Sequence, residues 1–176
     1  LQEYAAHDAE HRRCGADAER KRENRHYCKG RRATQHARAK MQIAREILEL
    51  HTLGVDGGYT QADVTSFARA ISGWSIGGQV NGRRRATSGA DGRPGEFVFR
   101  EAFHEPGAKR LLGRSYGDDG LKQGEEILKD LAMREATARH VCTKLARHFI
   151  ADDPPGAVVE RMARAWLDHR GHLPAV

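Results

Sequence analysis

Residues 43–74 contain two helix patterns separated by a glycine turn, and this stretch constrains the fold more than any other. Ile43, Ile47 and Leu50 recur at i, i+4 and i+7, which places them on one face of a helix. Gly54 follows the last apolar turn, where glycine readily adopts the left-handed conformation that ends a helix. The pattern therefore predicts an amphipathic helix that ends at Gly54.

The second helix of this stretch has an explicit start signal. Gly57 and Gly58 suit a tight turn because glycine tolerates positive φ. Thr60 followed three residues later by Asp63 resembles a capping box, with Asp in place of the usual Glu or Gln. We therefore predict that a helix begins after Thr60. The apolar residues of its predicted buried face are Val64, Phe67, Ala68 and Ile71.

The composition changes sharply at Ile43. Residues 1–42 contain no Ile, Val, Phe or Trp, and they hold 11 Lys/Arg against 6 Asp/Glu. Such a segment buries too little apolar surface to offset its conformational entropy. We therefore interpret residues 1–42 as a basic segment that is disordered or translated out of frame, and residues 43–176 as a partial α-rich domain. This second region holds 19 Lys/Arg and 18 Asp/Glu, so most of the net charge of +6 belongs to the first segment.

The basic segment raises two ligand hypotheses. Its His and Cys residues are spaced H-x2-C-x11-H-x-C, and the last pair is closer than zinc ligands usually are, so we predict neither a metal site nor a cofactor. Lys and Arg supply affinity for phosphate, so non-specific nucleic-acid binding through this arm and the Arg83–Arg85 cluster is an alternative function. The lack of interleaved aromatic residues disfavours it. The four residues of the zinc-site hypothesis are His11, Cys14, His26 and Cys28.

The middle of the chain predicts a loop followed by a hairpin. Residues 77–95 are rich in Gly, Arg, Ser and Asn, which is typical of a long flexible loop. From Phe97 to His104 the side chains alternate with the period of two of a strand. Residues 105–107, Glu-Pro-Gly, have turn chemistry, and Lys109–Leu112 can form the return strand. We therefore predict one small β-hairpin with His104 and Lys109 beside its turn.

Three further helical patterns follow, and their apolar stripes begin at Leu121, Ala138 and Val159. Together with the helices of residues 43–74, they predict a mainly α fold, a helical array of about five helices with one small β-hairpin. The last residues, Leu-Pro-Ala-Val, resemble an element cut off at its start. We therefore expect an incomplete domain.

Three polar residues are candidates for chemistry. At ~100° per residue, Glu46 falls beside Leu50 on the predicted buried flank, and His51 falls beside Ile47. Buried polar groups need partners, so each is either an ordinary structural contact or a metal ligand or general base. His104 flanks the predicted hairpin turn. The enzyme hypothesis is a hydrolase-like or metal-dependent activity that uses Glu46, His51 and His104.

Several long runs occur in order between residues 43 and 176. They are AREILELHTLGVDGGYTQADVTSFARAISGW, FVFREAFHEPGAKRLLG with its His-x-x-Gly-x-Lys turn, and ATARHVCTKLARHFIADDPPGAVVERMARAW. These runs resemble the bacterial family known as domain of unknown function 1800. The resemblance implies a piece of a larger, mostly helical bacterial protein, and it implies no catalytic residues. That family has Asn-x-Asn at the positions of Lys40 and Gln42, so the resemblance stops where the composition changes.

The function is otherwise unknown, and we expect a binding or interaction module with a protein partner. No run approaches the ~18 consecutive apolar residues of a membrane span. Cys14, Cys28 and Cys142 are too few and too scattered for a disulfide framework, so cysteine usage leaves the localisation open.

Overall fold

The computed structural model describes residues 37–78 and 92–176. The chain divides into two compact units, Leu1–Ala39 and Lys40–Val176, and every element named below lies in the second unit. The four residues of the zinc hypothesis lie outside the described residues, as does most of the basic segment. The interpretation of that segment as disordered or out of frame stays a prediction.

The described part of the second unit forms five helices and two small antiparallel sheets, which confirms the predicted mainly α fold class. Helix α1 occupies residues 40–46 of this unit and continues directly into a π-helical turn, Ile47–Thr52. The other helices are α2 (Gln61–Ala70), α3 (Leu121–Ala132), α4 (Glu135–Phe149) and α5 (Gly156–Asp168). The strands are β1 (Trp74–Ile76), β2 (Phe97–Phe99), β3 (Lys109–Leu111) and β4 (Arg114–Tyr116), and short 3-10 helices occupy Glu101–Phe103 and Leu173–Ala175.

Helix α1 begins the folded unit before the composition change. Nζ of Lys40 donates hydrogen bonds to the carbonyl oxygens of Ile71, at 3.3 Å, and Trp74, at 3.2 Å. Met41 packs against the main core. Burial lowers the pKa of Lys40 from its ordinary value. The second unit therefore includes three residues that precede the predicted boundary at Ile43.

Helix α1 buries only part of the predicted face, with Ile47 half-buried against the main core. Ala44 and Leu48 are fully buried, whereas Ile43 and Leu50 are each 48 % exposed. The backbone N–H of Leu53 donates to the carbonyl of Leu48 at 2.9 Å, an i to i+5 bond that widens the last turn. The prediction assumed regular α-helical spacing, and a π-helical turn rotates every residue that follows it, including Leu50 but not Ile43, which precedes the turn.

Helix α2 begins with a capping box. The N–H of Thr60 donates to Oδ2 of Asp63 at 2.8 Å, and the N–H of Asp63 donates to Oγ1 of Thr60 at 3.2 Å. These bonds satisfy two N–H groups that the start of a helix leaves without helical partners. The helix then buries Val64 and Phe67 in the main core.

The structure contains a small β-hairpin, as predicted, but other strands form it, and a second two-stranded sheet is present. Strand β1 pairs with β2, so that Trp74 lies opposite Phe99 and Ile76 lies opposite Phe97. Strand β3 pairs with β4, and Lys109 lies opposite Tyr116. The predicted pairing of the strand at Phe97 with the strand at Lys109 is therefore wrong.

Local geometry explains this change of partner. Strand β2 ends at Phe99, and the 3-10 helix Glu101–Phe103 follows it, so the strand does not reach the predicted turn. The hairpin turn lies instead at Leu112 and Gly113, whose φ values of 48° and 84° match a two-residue type I′ turn. Asn or Asp usually precedes Gly in such turns, so a Leu-Gly pair is difficult to recognise.

The predicted loop of residues 77–95 is described only at its two ends. The N–H of Gly77 donates to the carbonyl of Glu96 at 2.7 Å, and the N–H of Gly95 donates to that of Gly77 at 3.2 Å. These bonds continue the pairing of β1 with β2 beyond the strand ends. Arg83–Arg85 lie outside the described residues.

The buried apolar residues form two clusters. The main cluster joins α1, α2, α3 and the β3–β4 hairpin, and its large fully buried residues include Phe67, Leu111 and Ile127. The second cluster lies between α4 and α5 and includes Cys142 and Ala163.

Gly124 lets the β1–β2 sheet approach helix α3. A Cβ on Gly124 would lie 2.6 Å from Cζ2 of Trp74, so only glycine leaves room for the indole ring. A Cβ on Gly120 would be in ordinary contact with the ring of Phe99, at 3.6 Å. The inner end of the sheet is therefore covered by the first turns of α3.

Candidate functional site

The three candidate residues have separate surroundings. Glu46 is half-buried on α1 and accepts a hydrogen bond from Nε2 of Gln42 at 3.0 Å. His51 is exposed, so its predicted position on a buried flank is wrong, because the π-helical turn changes the orientation of this residue. His104 lies after β2 in another part of the fold. Among the described residues, no hydrogen bond or ion pair links these three side chains, and their joint activity stays a hypothesis.

His104 holds the segment after β2 against the C-terminal end of α2. Its Nδ1 lies 2.9 Å from the carbonyl oxygen of Ser72, and because a carbonyl only accepts, Nδ1 must carry the proton. The N–H of Glu105 donates to Oγ of Ser72 at 2.7 Å. Only 5 % of the His104 side chain is exposed. Through these buried bonds, Ser72 and His104 connect the segment after α2 to the segment after β2.

Ser72, His104 and Asp118 have the residue types of a Ser-His-Asp triad, but their geometry does not activate a nucleophile. The Ser72 hydroxyl donates to the carbonyl of Arg69 at 2.5 Å. Nδ1 of His104 is 3.5 Å from that hydroxyl and is already a donor, so it cannot accept the serine proton. Nε2 of His104 is buried 4.0 Å from Oδ1 of Asp118, and it has no hydrogen-bond partner among the residues that the structure describes.

Lys109 is a buried lysine whose charge is satisfied by backbone carbonyls. Its side chain turns back on the preceding loop, and Nζ donates to the carbonyls of Glu105 at 3.0 Å, Pro106 at 3.0 Å and Gly107 at 2.7 Å. An ammonium group has three protons, so these bonds use all of them. Lys109 is only 7 % exposed and stabilises the loop rather than facing a ligand.

Two more side chains enclose this loop. The N–H of Gly107 donates to Oδ2 of Asp118 at 2.7 Å. Nε2 of Gln123, on α3, donates to the carbonyl of Gly107 at 3.2 Å and also to that of Gly117. Gln123 is 1 % exposed, so these bonds offset the desolvation of its amide. The loop is therefore held from α2, α3 and β3 together.

Sequence patterns pointed to His104 and Lys109 but not to their partners. The His-x-x-Gly-x-Lys spacing and the Glu-Pro-Gly turn were the signals for this loop. Ser72 and Asp118 lie in irregular segments, and Gln123 lies at a helix position that periodicity alone does not distinguish. Such partners are defined by contacts between distant segments, which a local pattern does not contain.

Asp63 joins α2 to the β3–β4 turn. Besides its capping role, its Oδ1 accepts the N–H of Leu112 at 2.7 Å. Nη2 of Arg134 donates to the carbonyl of Leu112 at 3.3 Å. Burial acts to raise the pKa of Asp63, but hydrogen bonds from Thr60 and Leu112 and the charge of Arg134 outweigh it and lower that pKa from its ordinary value.

A contact between α1 and α4 occupies the π-helical turn. The carbonyl of Leu50 accepts Nε2 of His140 at 3.2 Å and Nζ of Lys144 at 3.1 Å. A Cβ on Gly54 would lie 2.9 Å from Nδ1 of His140, so glycine leaves room for the ring. π-Helical turns are frequent at functional sites, but here the contacts serve to fasten α4 to α1.

A shallow cleft of about 540 Å³ lies beside α2 and the β3–β4 hairpin. Helix α2 contributes one face to it, and β3 and the hairpin turn contribute the opposite wall. Its lining includes Ala62, Asp63, Thr65, Ser66, Arg69, Arg110 and Gly113, and the carboxylate of Asp63 is the one that caps α2.

The family model described as "Protein of unknown function (DUF1800)" matches residues 43–176, which is more than half of the chain. The chain belongs to this family. The DUF1800 match begins at Ile43, where the composition changes, and its description assigns no function, so the function of this chain is unknown.

No curated protein and no solved structure matches this DUF1800 chain. In the described part of the chain, none of the helices has the length and apolar character needed to cross a membrane. The same part contains no group of three or more His, Cys, Asp or Glu side chains arranged to hold a metal ion.

Proposed function

We propose that this chain is part of a bacterial protein and acts as a protein-interaction module through the outer end of the β1–β2 sheet. Ile76 and Phe97 lie directly opposite each other on the two strands. They are 51 % and 55 % exposed. This exposed cross-strand pair is the observation that carries the proposal.

The pair belongs to a continuous apolar face. Side chains two apart on a strand point to the same side of a sheet, so Trp74 and Ile76 share one face, as do Phe97 and Phe99. The rings of Trp74 and Phe97 meet edge to face at 5.3 Å. Helix α3 covers the inner end of this face, and the outer end is left in contact with water.

Single exposed apolar residues are common, but adjoining ones that extend a buried face are typical of contact surfaces. Complete burial of an Ile or a Phe side chain is worth ~1.5–3 kcal/mol. A partner segment with Leu, Ile, Met or Phe side chains would bury the remaining half of each residue. Aromatic anchors of this kind often dominate the energy of an interface.

The two alternative functions have weaker support. The buried polar side chains around residues 104–109 are engaged in internal hydrogen bonds, which favours a structural role over catalysis. Catalysis by Glu46, His51 and His104 would require a rearrangement that brings them together. Nucleic-acid binding depends on residues 1–42 and 83–85, and its basic positions up to residue 36 and at 83–85 lie outside the described residues.

Panning of a random-peptide library tests the proposal. We expect the wild-type chain to enrich peptides with a shared apolar motif, and we expect the double variant Ile76→Ser/Phe97→Ser to lose affinity for them by tenfold or more. Phe149→Ser is the matched control, because Phe149 is 76 % exposed at the end of α4, outside this sheet. Circular dichroism would establish that all variants keep their helices.

Two results would overturn the proposal. One is a set of enriched peptides that bind the double variant and the wild type equally well. The other is an equal loss of affinity in Phe149→Ser and the double variant, because this would show that the peptides recognise any exposed apolar residue.

A further inference from the structure

The cleft beside α2 carries two arginines whose guanidinium groups are largely unengaged. Arg110 is exposed on β3, and it forms no hydrogen bond or ion pair with any described residue. Arg69 is near the end of α2, and its Nε lies 3.4 Å from Oε1 of Glu105. That contact leaves the two terminal nitrogens of Arg69 free to bind another group. The side chains of Arg69 and Glu105 are 56 % and 51 % exposed, so water competes for this ion pair.

The carboxylate inside the cleft, Asp63, is held by hydrogen bonds from other groups and forms none with these arginines. Oδ2 of Asp63 accepts both the N–H and the hydroxyl of Thr60, and Oδ1 accepts the N–H of Leu112. These three donors engage both oxygens of Asp63 within the fold, and the carboxylate keeps its charge. With two arginines against one carboxylate, the lining still carries a surplus of positive charge, and the Ser66 hydroxyl is an additional donor.

We propose that this cleft binds the carboxylate side chains of an acidic peptide segment. A guanidinium group matches a carboxylate with two parallel hydrogen bonds, which makes arginine suited to this recognition. The contact of Glu105 with Arg69 shows that a carboxylate already reaches this position from within the chain. The acidic segment would compete with Glu105 for Arg69 and bind Arg110 directly.

Size and charge favour a short peptide over other anions. A cleft of about 540 Å³ falls within the range of pockets that hold several functional groups, rather than one small anion. Residues 43–176 have nearly balanced charge, with 19 Lys/Arg and 18 Asp/Glu, so no broad positive field attracts a long polyanion such as a nucleic acid. Recognition is therefore local to the two arginines.

Fluorescence anisotropy with a labelled Glu-rich peptide tests this site. We expect saturable binding by the whole chain, and no binding of the same peptide with Gln in place of Glu. Each of Arg69→Gln and Arg110→Gln should weaken binding about tenfold, because each removes a charged hydrogen-bond donor. Glu105→Gln should strengthen binding severalfold, because it removes the internal competitor.

The matched control is Arg164→Gln, which makes the same charge change at an exposed position of α5. Equal weakening by Arg110→Gln and Arg164→Gln would overturn the proposal in favour of general charge attraction. Equal binding of the Gln peptide would also overturn it. Inorganic phosphate is the competitor, and displacement of the peptide by equimolar phosphate would reassign the cleft to a free oxyanion.

This site is independent of the apolar surface on the β1–β2 sheet. The Ile76→Ser/Phe97→Ser variant should bind the acidic peptide with unchanged affinity, because those residues are not part of the cleft lining. A loss of acidic-peptide binding in that variant would contradict a separate site. Failure of either proposal can therefore be recognised without reference to the other.

Discussion

At the scale of single residues, Asp63 shows how much one carboxylate can connect. It accepts hydrogen bonds from the backbone N–H of Thr60 in the capping box and from that of Leu112. Leu112 lies in a turn and has a φ of 48°. Positive φ is unfavourable for leucine, so this turn needs support from outside the hairpin. The same carboxylate therefore begins a helix and holds a strained turn in place.

We expect Asp63→Ala to reduce the free energy of unfolding by about 3 kcal/mol. Loss of a helix cap costs about 1 kcal/mol, and loss of a hydrogen bond to a charged group costs about 1.5–3 kcal/mol. Urea denaturation at neutral pH measures the difference. Asp56→Ala removes an exposed carboxylate from the preceding loop, and a comparable loss in that control would contradict a special role for Asp63.

The stability difference between the wild type and Asp63→Ala should depend on pH. The folded pKa of Asp63 lies below the ordinary value of about 3.9. Its contribution is therefore complete above that pH and is lost as the pH falls through the lowered folded pKa. The stability difference between wild type and Asp63→Ala should shrink over this range, and a difference that stays constant would show that charge is not involved.

Much of the candidate site could not be read from the sequence at this scale. Thr60 and Asp63 were recognisable because a capping box is a local pattern of four residues. His104 and Lys109 were noticed, but their roles depend on Ser72 and on three loop carbonyls that fold back onto them. His51 was misplaced because a π-helical turn leaves no clear mark in the order of apolar residues.

At the scale of elements, helix α3 contains a residue of low helix propensity that allows strand β1 to pack closely against it. Glycine inside a helix is less favourable than alanine by about 1 kcal/mol. Gly124 nevertheless occupies the interior of α3, where its missing side chain makes room for the indole of Trp74. The contact between helix and sheet, rather than local preference, explains this residue.

Two glycine-to-alanine substitutions should consequently have opposite effects. Gly124→Ala places a Cβ 2.6 Å from the Trp74 ring, so we expect it to destabilise the protein by about 1–3 kcal/mol. Gly156→Ala, at the start of α5, meets nothing within 4 Å and should be neutral or stabilise by up to about 1 kcal/mol. Thermal unfolding of both variants measures this contrast, and equal stabilisation by both would contradict the steric explanation.

Elements differed in how well the sequence predicted them. The helices were recognisable because their apolar positions recur within a few residues of each other. Strand β1 was missed, and β2 was paired with the wrong strand, because pairing is a contact between segments far apart in sequence. The Leu112–Gly113 turn was missed because it lacks the Asn or Asp that usually marks its type.

At the scale of the whole folded unit, two apolar clusters are joined by specific polar contacts. Nε1 of Trp166, in α5, donates to the carbonyl of Ala132 at the end of α3, at 2.9 Å. This bond connects the α4–α5 cluster to the last turn of a helix in the main core. The carbonyl of Leu50 provides a second connection, through its bonds from α4.

We expect Trp166→Phe to weaken the connection between the clusters. It removes the donor but keeps an aromatic ring, so the free energy of unfolding should fall by about 1 kcal/mol. Hydrogen exchange should show a larger loss of protection in α5 than in α2, and Arg164→Gln is the exposed control on the same helix. Uniform loss of protection across both helices would show that the bond does not act as a local fastening.

The three carbonyls around Lys109 also restrict which changes in length this chain can tolerate. One added or deleted residue between Glu105 and Lys109 would displace at least one oxygen from the ammonium group that now uses all of its protons. Insertions and deletions in natural variants should therefore fall outside this loop. The spacing of four residues between Glu105 and Lys109 therefore fixes the distance between a backbone oxygen and the ammonium group that donates to it.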